Sequence, residues 1–172
     1  MVCTSLLLGF TILAAATDML RHKIYNWTTY PGIVAALVAN FWEKGGTGLA
    51  DSLTGFFFCG FMMLGCFALF NIGGGDVKLV AMLGAFLGPE KGLEAMLWTF
   101  VFGAIAGLSV LIWRVGLIKL VSGTVRHIVL TLRLATWLPL SDEERKQLQP
   151  PLYLAPAALL AVIVVRFSLV EF

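Results

Sequence analysis

The sequence predicts an all-α, polytopic membrane protein with six transmembrane helices and a cytoplasmic-side interfacial amphipathic helix. Of its 172 residues, 59% are hydrophobic and 13% are charged, and the mean hydropathy is +0.92. A soluble domain is about 45–50% apolar and about 25% charged. The apolar residues form six runs, and the chain is too short for several domains. Residues 1–172 are therefore predicted to form a single membrane-embedded domain.

The six apolar runs give the predicted spans in order. They cover residues 2–17, 28–42, 52–72, 77–88, 93–113 and 152–170. A span needs about 20 residues, so the first, second and fourth runs must draw flanking residues into the membrane. Pro89 and Glu90 directly follow the fourth run, so its extension has to come from Gly-Gly-Gly-Asp at 73–76. The same argument draws Asp18 toward the membrane at the end of the first run.

The first run has an alternative interpretation as a secretory signal peptide, because it ends in small residues. Signal peptides carry a basic segment ahead of the apolar one. Residues 1–10 contain no Lys or Arg. We therefore predict that the first run is a retained span.

The distribution of positive charge predicts the orientation. Six spans place segments 18–27, 71–76 and 114–151 on one side of the membrane, with Lys78 just inside the fourth span. Nine cations lie on that side and three on the other: Arg21, Lys23, Lys78, Arg114, Lys119, Arg126, Arg133, Arg145 and Lys146 against Lys44, Lys91 and Arg166. The positive-inside rule makes the first side cytoplasmic and both termini external. Asp18 and Asp76 then lie at the same cytoplasmic depth on two different helices.

Segment 114–138 is apolar enough to resemble a seventh span. Its cations Lys119, Arg126 and Arg133 recur every seven residues and share one helical face. A cation near the centre of a span costs about 2.5–3.5 kcal/mol. In the interface, the same three side chains can meet anionic headgroups of the lipid bilayer. We therefore predict an interfacial amphipathic helix, and a tilted or re-entrant helix is the alternative.

Asp18 and Asp76 are the candidate catalytic residues. Like charges held close cannot both ionise easily, so one acid keeps its proton. The ionised acid can take a proton from water while the protonated acid donates to a carbonyl, and this chemistry suits peptide-bond hydrolysis. Such a pair titrates as a unit, so the sequence assigns neither role. The glycines at 73–75 would let an extended peptide approach the backbone and would permit unusual dihedral angles.

Each acid also has a purely structural interpretation. Asp76 could be the N-cap of the helix that follows it, and Asp18 could be a surface acid paired with Arg21. The six spans would also suit a small polytopic transporter or membrane scaffold without proteolytic activity. A transporter usually places polar residues deep in several spans, and these are scarce here. The three cysteines form no CxxC pair, and we predict neither a metal nor a cofactor.

Two motifs resemble the type IV prepilin peptidases, which are aspartic membrane proteases of the GxGD class. The segment TDMLRHKIYNW at 17–27 resembles the family's first acid and the element after it, here Asp18, Ile24 and Asn26. The segment GGGDVKLVAMLGAFLG at 73–88 resembles the family's GxGD-x-Lys-Leu motif, here Gly73, Gly75, Asp76, Lys78 and Leu79. The segment PPLYLAPAALLA at 150–161 resembles the final span of the family.

The resemblance implies an endopeptidase of the bacterial inner membrane. Such enzymes remove the basic N-terminal leader of prepilins and pseudopilins after a glycine, at the cytoplasmic face and just before the pilin's hydrophobic helix. Asp18 and Asp76 would be the catalytic pair, with no metal and no nucleic-acid partner. Gly73 and Gly75 would shape the loop. Lys78 would tune the charge, meet headgroups or simply snorkel, whereas Asn26 more readily caps the second span than contacts substrate.

One departure from the larger members of that family concerns the loop between the first two spans. In those members the loop holds a cytoplasmic domain with paired cysteines, and the enzymes also methylate the new N-terminus with S-adenosylmethionine. Here the loop is short and has no cysteine. The chain therefore resembles the short branch associated with Flp or tight-adherence pili, and the resemblance gives no support for N-methyltransferase activity.

Overall fold

The computed structural model describes residues 2–21, 23–70, 73–116 and 154–167. Each regular element among these residues is an α-helix. In chain order they are α1 (Val2–Arg21), α2 (Asn26–Phe70), α3 (Gly74–Leu87), α4 (Pro89–Val115) and α5 (Leu154–Arg166). The interfacial helix predicted for 114–138 lies, beyond residue 116, outside the described residues.

Three of these helices have the length and apolar composition needed to cross a membrane. The spanning stretches are Val2–Arg21, Asn26–Leu69 and Pro89–Trp113, and α5 is a shorter apolar helix. Large apolar side chains such as Trp27 and Phe61 are exposed along the helices, as lipid-facing surfaces require. The all-helical membrane class is thus confirmed, although the described helices do not divide clearly into six spans.

Helix α2 contains both the second and the third apolar run. It is interrupted at Gly45, whose φ of 66° and ψ of −144° are not helical. Glycine adopts a positive φ without the steric cost that other residues meet. Gly45 therefore divides α2 into a first segment and a second segment, and both of them contact α3. Asn40 Nδ2 from the first segment and Ser52 Oγ from the second donate to the Ala85 carbonyl at 3.0 and 2.6 Å.

Helix α3 is the central element of the core. Each side chain from 79 to 86 is buried, and a helix that is apolar on all sides belongs in an interior. Gly55 of α2 and Gly84 of α3 approach so closely that neither position has room for a Cβ atom. Helix α3 has 14 residues and is about 21 Å long, shorter than the roughly 30 Å hydrocarbon core. Because protein surrounds it, α3 does not have to match the thickness of the bilayer.

The remaining core is built from α1 and α5. Buried side chains of α1, including Leu7 and Ala14, cluster with Ala155 and Val162 of α5 and with the buried face of α3. All of these contacts belong to one compact unit, Met1–Gly103 with Tyr153–Phe172. Ala104–Leu152 forms a second unit, of which residues 104–116 are described as the last part of α4.

Candidate active site

Asp18 lies in the last turn of α1 and is buried, with 7% of its surface exposed. Its Oδ2 accepts a hydrogen bond from the backbone N–H of Ala155 at 3.2 Å. Ala155 lies in the first described turn of α5. The alternative of a surface acid does not fit, since the Asp18 side chain is buried. Arg21 Nη1 donates to the Tyr25 hydroxyl at 3.4 Å.

Asp76 lies in the first turn of α3, ahead of the buried apolar stretch. The N-cap of α3 is Gly73, with φ −66° and ψ 138°. The alternative that Asp76 caps this helix is therefore wrong. The backbone N–H of Asp76 instead donates to the Gly73 carbonyl at 3.0 Å.

The two carboxyl groups act on one another electrostatically. Burial, and then the negative charge of Asp18, raise the pKa of Asp76 from 3.8 to about 6, while a backbone hydrogen bond with Gly73 acts in the opposite direction. A like charge has this effect only at short range. The structure therefore places the last turn of α1 and the first turn of α3 close enough for the two acids to form one electrostatic site.

The three glycines before Asp76 have different surroundings. A Cβ atom at Gly73 would lie 3.0 Å from Asp76 Oδ2, so a side chain there would press on the carboxylate. A Cβ atom at Gly75 would lie 3.0 Å from Ile24 Cβ and 3.5 Å from the Ile24 carbonyl oxygen. At Gly74 no atom lies within 4 Å. Space is therefore restricted at the two glycines of the GxGD pattern and free at the position between them.

The backbone conformation of these glycines is ordinary. Gly73 has an extended conformation that any residue can adopt, and Gly74 and Gly75 are helical. Positive φ angles occur instead at Gly45, Gly88 and Gly116. The expectation that the glycines at 73–75 supply unusual dihedral angles is therefore wrong, and the approach of an extended peptide to this backbone stays a prediction.

The connection between α1 and α2 contacts α3 beside this site. Ile24 packs against Gly75, and Lys78 Nζ donates to Asn26 Oδ1 at 2.8 Å. The Lys78 ammonium also lies 5.2 Å from the centroid of the Tyr30 ring, within the range of a cation–π interaction. The sequence favoured a capping role for Asn26, but in the structure its side-chain oxygen binds Lys78.

Sequence reasoning missed the backbone N–H of Ala155 and the pairing of Asn26 with Lys78. The segment around Ala155 resembled a family motif, but a backbone donor has no side-chain signature. Among the described residues, no group of three or more His, Cys, Asp or Glu side chains is arranged to hold a metal ion. Cys3 and Cys59 are buried free thiols.

Comparison with known proteins gives one match. The model of a family described as the type IV leader peptidase family matches residues 5–108, which is more than half of the chain and includes both acids. No curated protein and no solved structure matches the chain.

Proposed function

Because the chain belongs to the type IV leader peptidase family, we propose that it is an aspartic endopeptidase that removes the basic leader of prepilins and pseudopilins. Asp18 and Asp76 are its catalytic pair. The observation that supports this most is the raised pKa of Asp76, to which the charge of Asp18 contributes. Perturbed carboxyl groups that act on each other are typical of sites that perform acid–base chemistry.

The surroundings of the two acids favour different roles in hydrolysis. Asp18 is the ionised member, because its Oδ2 accepts the backbone N–H of Ala155 and such a hydrogen bond favours the charged form of a carboxyl group. Asp18 takes a proton from water, and the resulting hydroxide attacks the scissile carbonyl carbon. Asp76 is the protonated member and donates its proton to the carbonyl oxygen. When the C–N bond breaks, the proton on Asp18 goes to the leaving amine, and Asp76 recovers its proton from the hydroxyl of the new carboxylic acid.

The proposed setting is the bacterial inner membrane, with the site at the cytoplasmic face. The excess of Lys and Arg on one side of the predicted six-span topology supports this orientation. A basic leader would remain in the cytoplasm while the hydrophobic helix of the prepilin lies in the bilayer. The cleavage after glycine and the Flp-type substrate are carried over from the family resemblance, and the single domain follows from the composition and length of the chain.

The test is cleavage of a co-expressed prepilin in isolated membranes. We expect Asp18→Asn and Asp76→Asn each to lower the cleavage rate at least about 10³-fold, because neither variant retains a pair of acids. Asp51→Asn is the matched control, since Asp51 is an exposed acid in the second segment of α2. Full activity in both active-site variants would refute the catalytic pair. Loss in Asp76→Asn alone would refute the role of Asp18.

A further inference from the structure

The ammonium of Lys78 is held by two partners on one face of α2. It donates to Asn26 Oδ1 at 2.8 Å and lies 5.2 Å from the centroid of the Tyr30 ring. Residues four apart on a helix lie above one another, so Asn26 and Tyr30 form one surface. A lysine near a membrane normally extends its flexible stem toward water or headgroups. Here the side chain instead bridges two helices, although ordering it costs conformational entropy.

This bridge lies beside the site. Lys78 follows Asp76 by two residues on α3, and Asn26 is the first residue after the connection that leaves α1. The close contact of Gly75 with Ile24 joins the same two segments one residue before Asp76. The end of the α1–α2 connection and the first residue of α2 are therefore attached to α3, one before and one after Asp76 in the sequence.

Asp18 is held by a different helix, α5. Its Oδ2 accepts the Ala155 N–H, which fixes the end of α1 to the start of α5. Beside the core that α1, α3 and α5 share, the attachment of the connection after α1 to α3 is a second link that affects the distance between the two acids. We propose that Lys78 and Asn26 form a positioning pair, which holds the α1–α2 connection to α3 and sets the separation of the Asp18 and Asp76 carboxyl groups. This inference rests on the proposed function, because it concerns the same site.

The positioning pair acts through the acids and does not touch the substrate. Hydrolysis needs both carboxyl groups within reach of one water molecule and one carbonyl, and a displacement of about 1 Å can lower a rate about 100-fold. Loss of the pair should therefore lower kcat and leave KM almost unchanged. Removing either side chain should lower kcat, because both contribute to one hydrogen bond. The loss should be at least as large for Lys78, which also contacts the Tyr30 ring.

The experiment measures prepilin cleavage by Lys78→Met, Asn26→Ala and the double variant. We expect each single variant to lower kcat about 10- to 100-fold with KM within about twofold, and the double variant to be no slower than the slower single one. Lys78→Arg and Asn26→Asp keep a donor and an acceptor and should retain most of the activity. Lys23→Met is the matched control, because Lys23 is an exposed cation of the same connection.

The pH dependence separates positioning from a direct effect of charge. Asp18 is the charged group that raises the pKa of Asp76, so moving the acids apart should shift the upper limb of the kcat profile to lower pH. Removing a cation that acts directly on Asp76 would shift this limb to higher pH. Asn26→Ala changes no charge, and a shift to lower pH in this variant supports the positioning role.

Several outcomes would overturn the inference while leaving the proposed function intact. The inference fails if Asn26→Ala keeps the wild-type kcat, if the reductions of kcat in the two single variants multiply in the double variant, or if Lys23→Met lowers kcat as much as Lys78→Met does. In each case Asp18→Asn would still be inactive. If Lys78→Met does not accumulate in membranes, the comparison of Asn26→Ala with Asn26→Asp decides. If the wild-type protein cleaves no prepilin, the proposed function fails, and the positioning role fails with it.

Discussion

Adding a single methyl group at Gly75 tests why this segment contains glycine. A Cβ atom there would lie 3.0 Å from Ile24 Cβ, whereas ordinary carbon contacts are about 3.5–4.0 Å. Ile24 or the first turn of α3 would have to move by several tenths of an ångström. Overpacking of this kind costs about 1–3 kcal/mol, and the better helix propensity of alanine offsets about 0.5–1 kcal/mol. We expect Gly75→Ala to lower the free energy of unfolding by about 1–2 kcal/mol.

The same displacement should affect catalysis. Ile24 lies in the connection that follows Asp18, and Gly75 directly precedes Asp76, so a movement between them changes the separation of the acids. Since about 1 Å can lower a rate about 100-fold, we expect Gly75→Ala to lower kcat about tenfold. Gly74→Ala is the matched control, because nothing lies within 4 Å of a Cβ at that position. It should keep wild-type kcat and gain about 0.5–1 kcal/mol of stability.

Both quantities can be measured on purified protein in detergent. Cleavage of a prepilin, followed by the mass shift of the product, gives kcat, and thermal denaturation gives the change in stability. Equal loss of activity in Gly74→Ala and Gly75→Ala would refute the argument from space, because the segment would then need glycine for its flexibility. Full activity and stability in Gly75→Ala would show that the close contact with Ile24 is not required.

Two further predictions concern pH and a buried hydroxyl group. Cleavage should fall as the pH rises above about 6, because Asp76 must keep its proton. Since the pKa of Asp76 is raised from 3.8 to about 6 on folding, the free energy of unfolding should also fall between about pH 4 and pH 6. The variant Asp76→Asn should show no such pH dependence of stability. Thr29→Val should raise the free energy of unfolding by about 1 kcal/mol, since the Thr29 hydroxyl is buried without a hydrogen-bond partner among the described residues. Thr99→Val should not, because the Thr99 hydroxyl donates to a carbonyl of its own helix at 2.6 Å; a destabilised Thr29→Val or a flat pH profile would contradict these expectations.

Hydropathy predicts the helical membrane class but does not distinguish lipid from protein interior. Both are apolar, so the run at 77–88 was predicted to be a short span extended through 73–76 to cross the bilayer. The helix does begin at Gly74. In the structure, α3 contacts both segments of α2 and the side chains from 79 to 86 are buried, so lipid thickness does not limit its length. The second and third runs, which hydropathy separates, correspond to the two segments of α2 on either side of the non-helical residue Gly45.

The two acids could be predicted from sequence because an acid at the end of an apolar run is unusual. The groups that hold them could not be predicted in the same way. The Ala155 N–H is a backbone group, and the pairing of Asn26 with Lys78 joins residues on separate helices. The pattern also left open which property of the glycines matters. A glycine can be needed for its conformational freedom or for its lack of a side chain, and the sequence does not distinguish the two. The contacts at Gly73 and Gly75 favour the lack of a side chain.

The two carboxyl groups of the site have different surroundings, and these favour different protonation states. The backbone N–H of Ala155 in α5 donates to Asp18, and this hydrogen bond favours a negative charge there. Asp76 is held among groups that oppose its ionisation, chiefly by burial and then by the charge of Asp18 itself. Each acid thus reinforces the other's proposed role, since an ionised Asp18 keeps the proton on Asp76. Because Asp18 and Asp76 lie on different helices, this division of roles requires α1, α3 and α5 to meet, which no single motif can encode.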